Sequence, residues 1–279
     1  MRGNIDISVA IPNYNGLEGL KILLPGLDKL DLSGIYLLDD GSTDQSVSYA
    51  KKFTRLKVID GGKNLGPAGN RNRILQENNL GKLLWFIDAD MEIITRNVSG
   101  AAQKLFRDPE VGLVGGRILS LDGKSMYWNY GYDPHPVRDR IAHYYGRLGK
   151  TFEKNRKVHD LIRKKACRYF FGVEIDAGNH PERIVEWVAE GNFLVRTDIF
   201  RKIGGFDENM RYHEGQDLCK RIRQMGMKVK FSPEILSKHL EIDCRDGHRT
   251  EDWSSGRRYY FRKHWGTPER FLKNFFRLG

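Results

Sequence analysis

The chain has 279 residues, enough for one large domain or one domain with an elaborated half, and its composition of 39% hydrophobic and 30% charged residues is that of a soluble globular protein. No apolar run approaches the ~18 residues needed to cross a bilayer; the longest, Leu83-Leu84-Trp85-Phe86-Ile87, stops at Asp88. The 47 basic against 36 acidic residues give a net charge of +11, which predicts attraction to something anionic: nucleic acid, a nucleotide diphosphate or lipid headgroups.

Met1 to Asp6 runs into a strand without a signal-type apolar core, so a cytoplasmic protein is expected. Ile5 to Pro12 is β-rich and ends at Pro-Asn-Tyr-Asn; Leu17, Leu20, Leu23, Leu24 and Leu27 then recur at helical spacing. Gly34 to Leu38 predicts a second strand, ended by Asp39-Asp40-Gly41, and Ser42 with Gln45 resembles a capping box. Leu56 to Ile59 predicts a third strand, Asn64 to Arg73 leads into a helix ending near Asn78, and Lys82 to Ile87 predicts a buried fourth strand ended by Asp88-Ala89-Asp90. Strands alternating with helices imply βαβ units and a largely parallel sheet.

From Ser120 to about Trp187 the rhythm is lost, and Pro134 and Pro136 argue against a long helix between Tyr127 and Tyr145. A strand is expected at Glu190 to Arg196, a short helix capped by Thr197 and stopped at Gly204-Gly205, a helix near Asp217 to Gln224, and a strand over Lys228 to Phe231. The tail from Trp253 is basic and aromatic, and reads either as a helix docking its aromatic stripe on the domain or as an element touching anionic lipid. The expected division is residues 1–120 as an α/β half, 121–245 as a mixed half of the same domain, and 246–279 as a helical tail. Cys167, Cys219 and Cys244 are scattered and lack metal-ligand spacing, which predicts reduced thiols.

In open parallel sheets, ligands bind beyond the carboxyl ends of the strands. Here those ends carry Pro12, Asn13, Tyr14 and Asn15, then Asp39 and Asp40, then Asp88 and Asp90. Either acidic pair alone would read as turn chemistry; both closing strands of one sheet point to a site. Clustered carboxylates repel and raise one another's pKa, a conflict that a divalent cation relieves. Oxygen ligands beside a diphosphate favour Mg²⁺ or Mn²⁺, with Asp-x-Asp offering one carboxylate to the metal and the other to a ribose or water.

Val9 to Asn15, Leu38 to Asp44, Asn64 to Asn72, Phe86 to Asp90 and Gly204 to Glu208 resemble, in order, the motifs of glycosyltransferase family 2, and more weakly its rhamnosyltransferase-like members. The resemblance spans roughly Ile7 to His239. It implies a GT-A fold, a Rossmann-like mostly parallel sheet flanked by helices with a mixed acceptor-side half, and inverting transfer from a nucleotide-diphosphate sugar to a glycan or lipid-linked hydroxyl. By the match, Pro12, Tyr14, Asn15, Asp39 and Asp40 would line the base and ribose pocket. Asn64, Gly66 and Arg71 would lie near the nucleotide, Asp88 and Ala89 at the ribose or sugar. Asp90 would be the main metal ligand, joined by His239.

The family's usual Glu-Asp-x-Asp-Leu segment reads Glu214-Gly215-Gln216-Asp217-Leu218 here, so Gly215 stands where the catalytic Asp is expected. Asp217 is then the expected base, brought forward by the turn, with Glu214 binding the acceptor or serving as base instead; lost activity is the other consequence. Among rivals, a sugar-nucleotide pyrophosphorylase needs a Gly-rich basic loop after the first strand, which is lacking. Nucleic-acid binding would need a concentrated basic face, whereas the charges are dispersed. Peripheral contact with an anionic membrane is compatible with the charge.

Overall fold

The structure, a computed structural model, describes residues 5–126, 128–152, 154–171, 181–242 and 249–266. Cys244, the side chain of Cys167 and the tail beyond residue 266 lie outside them; Cys219 is a free, buried thiol that burial pushes up to about 12.

The chain begins with β1 (Ile7–Asn13), α1 (Leu17–Leu27), β2 (Gly34–Asp39), α2 (Ser46–Ala50), β3 (Leu56–Asp60), α3 (Gly66–Asn72) and β4 (Leu83–Ile87). Next come β5 (Met91–Ile93), α4 (Val98–Leu105), β6 (Val111–Leu119), β7 (Tyr130–Gly131), α5 (Pro136–Thr151) and α6 (Arg156–Phe171). The described chain closes with β8 (Arg183–Ile184), β9 (Trp187–Val188), β10 (Asn192–Arg196), α7 (Thr197–Lys202), α8 (Glu214–Gln224), β11 (Lys228–His239) and α9 (Arg249–Trp265).

The main sheet runs β3-β2-β1-β4-β10-β6-β11-β5, with β8 on β11. Strand β4 shows why it has a core on each face, since successive side chains point to opposite sides. Leu83, Trp85 and Ile87 pack with the leucines of α1, while Leu84 and Phe86 pack with Phe193, Phe200, Phe206 and Leu218. β1 pairs in parallel with both β2 and β4, and β2 with β3. β10 then lies antiparallel between β4 and β6, and β6 is parallel to β11. It follows that β6 and β11 point the same way as β4. The carboxyl ends of β1, β2, β4 and β11 and the first residue of β10 therefore share one edge, and this alone decides which residues can meet.

Several local expectations give way to tertiary context. Pro136 does not forbid a helix; it opens the α5 helix in the first turn, where a proline's missing N–H costs nothing. Ser42 forms no capping box: α2 starts at Ser46, whose N–H bonds Asp44, while the Ser42 hydroxyl donates to Asp39 at 2.6 Å. Thr197 does not cap α7, because its hydroxyl donates to the Gly81 carbonyl. Strand β11 runs on to His239 past Pro233, which is accommodated where the pairing with β6 shifts register between Ser232 and Leu236. Among the described residues no helix is long and apolar enough to cross a membrane.

Helix α9 docks on the domain, as the aromatic pattern of the tail suggests. Tyr260 is fully buried, Arg257 pairs with Asp139 of α5, and Trp265 donates to the Pro134 carbonyl at 3.2 Å. The main tie is Asp217 of α8, fully buried and bound by Arg221 at 2.7 Å, Lys263 at 2.8 Å and His264 at 2.7 Å. Burial alone would raise this carboxyl, but His264, Arg221 and Lys263 outweigh it and hold it at about 2. A depressed folded-state pKa gives stability that is present above the ordinary value of 3.8 and lost as pH falls through about 2. We expect Asp217→Asn to cost about 3 kcal/mol at neutral pH in urea titrations, with the gap to wild type narrowing across that acid window.

Candidate active site

The first strand ends are knitted by Asp39, which is buried. Its Oδ1 accepts from Asn13 Nδ2 at 2.8 Å and from the Ser42 hydroxyl, and its Oδ2 accepts the Ser42 and Gly41 amides at 2.8 and 3.2 Å. Asn15, with a left-handed φ of 52°, caps the same turn by accepting from the Thr43 amide at 2.8 Å. Pro12 is half-buried and Tyr14 stands exposed at the end of β1. Asp39 and Asn15 thus shape the turn.

Asp40 joins β2 to the next segment. Its oxygens accept the Leu65 and Gly66 amides at 2.8 and 3.0 Å, and Arg73 reaches it at 3.3 Å. Asn64 accepts from the same Gly66 amide at 3.0 Å. The Asp40 carboxylate thus already accepts from three of the protein's own groups. Its effect is to set the start of α3, the helix that carries Arg71.

Arg71 is buried and collects three carboxylates. Its Nη2 donates to Asp88 at 2.9 Å, and its Nη1 lies 3.7 Å from Glu190 and 3.5 Å from Glu214. Burial would lower the guanidinium's pKa, but Asp88, Glu190 and Glu214 together raise it. Its Nε and Nη1 are buried and make no hydrogen bond among the described residues, Nη1 being held only by the longer ion pairs to Glu190 and Glu214. Burial, then the neighbouring Glu190 carboxylate, push Glu214 well above the usual range, against the pull of Arg71.

Beside this cluster the Asp88-Ala89-Asp90 turn is pressed by α1. A β-carbon on Gly19 would overlap the Ala89 carbonyl, so only glycine lets the helix approach the turn. On the far side Asp90 Oδ2 sits 3.2 Å from His239 Nε2, and the Leu240 amide donates to the Asp90 carbonyl at 2.9 Å. Both side chains are about three-quarters buried. Among the described residues no group of three His, Cys, Asp or Glu side chains stands ready for a metal. A carboxylate and an imidazole that each keep about a quarter of their surface exposed nonetheless suit a divalent ion that keeps phosphate oxygens and waters as its other ligands.

Comparison with known proteins now adds to this geometry. Residues 8–170, more than half of the chain, match the family described as "Glycosyl transferase family 2". The chain belongs to this family. Within it, the chain is 27% identical over 260 residues to the pre-mycofactocin glycosyltransferase of Mycobacterium tuberculosis, covering 91% of this chain and 46% of that protein. It is 25% identical over 228 residues to the N-acetylglucosaminyl-diphospho-decaprenol L-rhamnosyltransferase of the same organism, covering 76% and 68%. The chain thus spans about half the length of the first of these relatives.

Among solved structures, a mannosyltransferase from Pyrobaculum calidifontis in complex with GDP-Man and Mn²⁺ shares the fold, with a TM-score of 0.60 at 16% identity over 97% of this chain and 68% of that one. GalNAc-T7 with UDP, GalNAc and Mn²⁺ gives 0.59 at 17% identity over 86% and 44%. The fold is the GT-A fold of these transferases.

For a family 2 chain, the segment Glu214 to Leu218 departs from expectation in a specific way. Asp217 does not come forward as a base: it is sealed beneath α9 by Arg221, Lys263 and His264 and has no exposed surface. Glu214 is also buried, facing Arg71. The residue that the sequence reading overlooked is Glu190. It precedes β10, and because β10 runs antiparallel to β4, the start of that strand lies at the carboxyl edge, with Asn192 paired to Ile87. An acid before an apolar strand was visible; the strand's direction was not. We expect Arg71→Leu to cost about 3 kcal/mol in urea unfolding, because three carboxylates lose their cation, and Arg71→Lys to recover only part of it.

Proposed function

We propose that this protein transfers a sugar from a nucleotide-diphosphate sugar to a hydroxyl acceptor, inverting the anomeric centre in one displacement. The observation that carries this reading is the meeting, at one sheet edge, of the Arg71–Asp88–Glu190–Glu214 cluster and the Asp90–His239 pair. Tyr14 and Pro12 would face the nucleoside and Asp88 the ribose or sugar, with Arg71 behind it holding the Asp88 carboxylate in place. Asp90 and His239 would hold Mn²⁺ or Mg²⁺, which when bound supplies positive charge to the departing diphosphate. The Mn²⁺ and nucleotide sugars named with the structural neighbours support that choice.

The acceptor we propose is a glycan or lipid-linked saccharide, in line with the relative named for N-acetylglucosaminyl-diphospho-decaprenol. A net charge of +11 supports meeting such an acceptor at an anionic membrane from the cytoplasmic side, without any membrane-spanning helix among the described residues.

A thermal-shift panel of UDP, GDP, dTDP and their sugars, with and without Mn²⁺, tests this reading. One nucleotide should raise the melting temperature only when Mn²⁺ is present, and Asp90→Ala should abolish that increment. An unchanged Mn²⁺-dependent shift in Asp90→Ala would refute the metal assignment. No shift with any nucleotide would refute the transferase reading.

A further inference from the structure

Displacement at a sugar carbon requires a group that takes the proton of the attacking hydroxyl, and such a group must be both ionised and reachable. The acids around the rim differ sharply in this respect. Asp88 is bonded to Arg71, Asp90 is turned to His239, and Asp217 lies sealed under α9. The Glu214 side chain is only 5% exposed, and its surroundings favour the protonated form. Exposure alone does not single out Glu190, at 23% against 31% for Asp88 and 24% for Asp90; its contact with Arg71 is a 3.7 Å ion pair rather than a hydrogen bond, and its Oε1 accepts the Gly215 amide at 2.7 Å.

The contact with Gly215 is tight. A β-carbon on residue 215 would overlap the Glu190 side chain and lie 2.6 Å from its Oε1. No positive φ requires glycine at this position, which is the second residue of α8. The volume beside the glycine is already filled by a carboxylate from the turn before β10. The charged groups facing Glu190 are Arg71 from α3 and Glu214 from α8, a cation and an acid whose pKa burial raises.

Building on the glycosyl-transfer reading, we propose that Glu190 is the catalytic base, its carboxylate occupying the place that a side chain at position 215 would fill. The acceptor O–H bond breaks and its proton passes to Glu190. The oxygen bonds to the anomeric carbon, and the bond from that carbon to the diphosphate oxygen breaks, its electron pair leaving with the nucleoside diphosphate. Glu190 then returns its proton to water. The amide of Gly215 and the guanidinium of Arg71 orient the carboxylate, and removing the side chain at 215 is the condition for Glu190 to reach this place.

The test follows nucleoside diphosphate release from UDP-, GDP- and dTDP-sugars with Mn²⁺, using water and an alkyl-diphosphate-linked N-acetylglucosamine as hydroxyl sources. Glu190→Gln and Glu190→Ala should each lower release on the order of 100-fold, while the nucleotide-induced thermal shift stays at the wild-type value. The double variant Glu190→Ala/Gly215→Asp, which returns a carboxylate from the neighbouring backbone, should recover much of the loss. Glu190→Gln within about threefold of wild type would overturn the proposal, as would wild-type protein that binds nucleotide sugar but releases nothing. Failure of Gly215→Asp to rescue would overturn the claim of a shared position. Absence of any nucleotide-induced shift in wild type would instead strike the transferase reading itself.

Discussion

The guanidinium of Arg71 is the cation around which the rim is assembled. Asp88 arrives from the end of β4, Glu190 from the turn before β10 and Glu214 from the first residue of α8, segments far apart in sequence. Three acids in so small a volume would repel one another and partly neutralise by taking up protons. A buried guanidinium lets them stay together, because its planar fork serves several oxygens at once. The arrangement is asymmetric in its consequences: Asp88 holds the direct hydrogen bond, Glu214 is driven toward protonation, and Glu190 keeps an edge toward solvent. One cation thereby sorts three chemically similar groups into three roles.

Helix α8 links this rim to the rest of the domain. Glu214 and Asp217 lie about one turn apart on it, yet face different partners. Glu214 turns to Arg71, while Asp217 binds Arg221 of its own helix and Lys263 and His264 of α9. The C-terminal helix is thus strapped to the element that forms one wall of the site. That accounts for a helix rich in cations and aromatics packing on the domain with Tyr260 fully buried.

Much of this architecture was legible in the residues. The alternation of apolar runs and helical periodicity gave β1 through β4, and the acids closing β2 and β4 marked the edge where a site would form. The matches around Asp90 and His239 named two groups that lie 3.2 Å apart. What the residues alone could not convey was strand direction. The reversal of β10 puts Glu190 at the ligand edge, and the length of β11, continued past Pro233, delivers His239 to the same place. Neither follows from local pattern. The role of Asp217 was likewise invisible, because its partners are Arg221 one turn on in α8 and Lys263 and His264 of α9, the last 47 residues away. Pro134 and Pro136 misled for a simpler reason: Pro134 lies before α5 and Pro136 is its first residue, where a proline's missing N–H costs the helix nothing.

The central claim is that the ends of β4 and β11, next to the Arg71 cluster, hold a cation-bridged diphosphate. Paramagnetic broadening of backbone amide resonances by Mn²⁺, titrated in the presence of the bound nucleoside diphosphate, tests it most directly. The account predicts broadening centred on the amides of residues 88–91 and 237–240 and fading along β1 and α3. Broadening centred elsewhere, with those amides untouched, would contradict it.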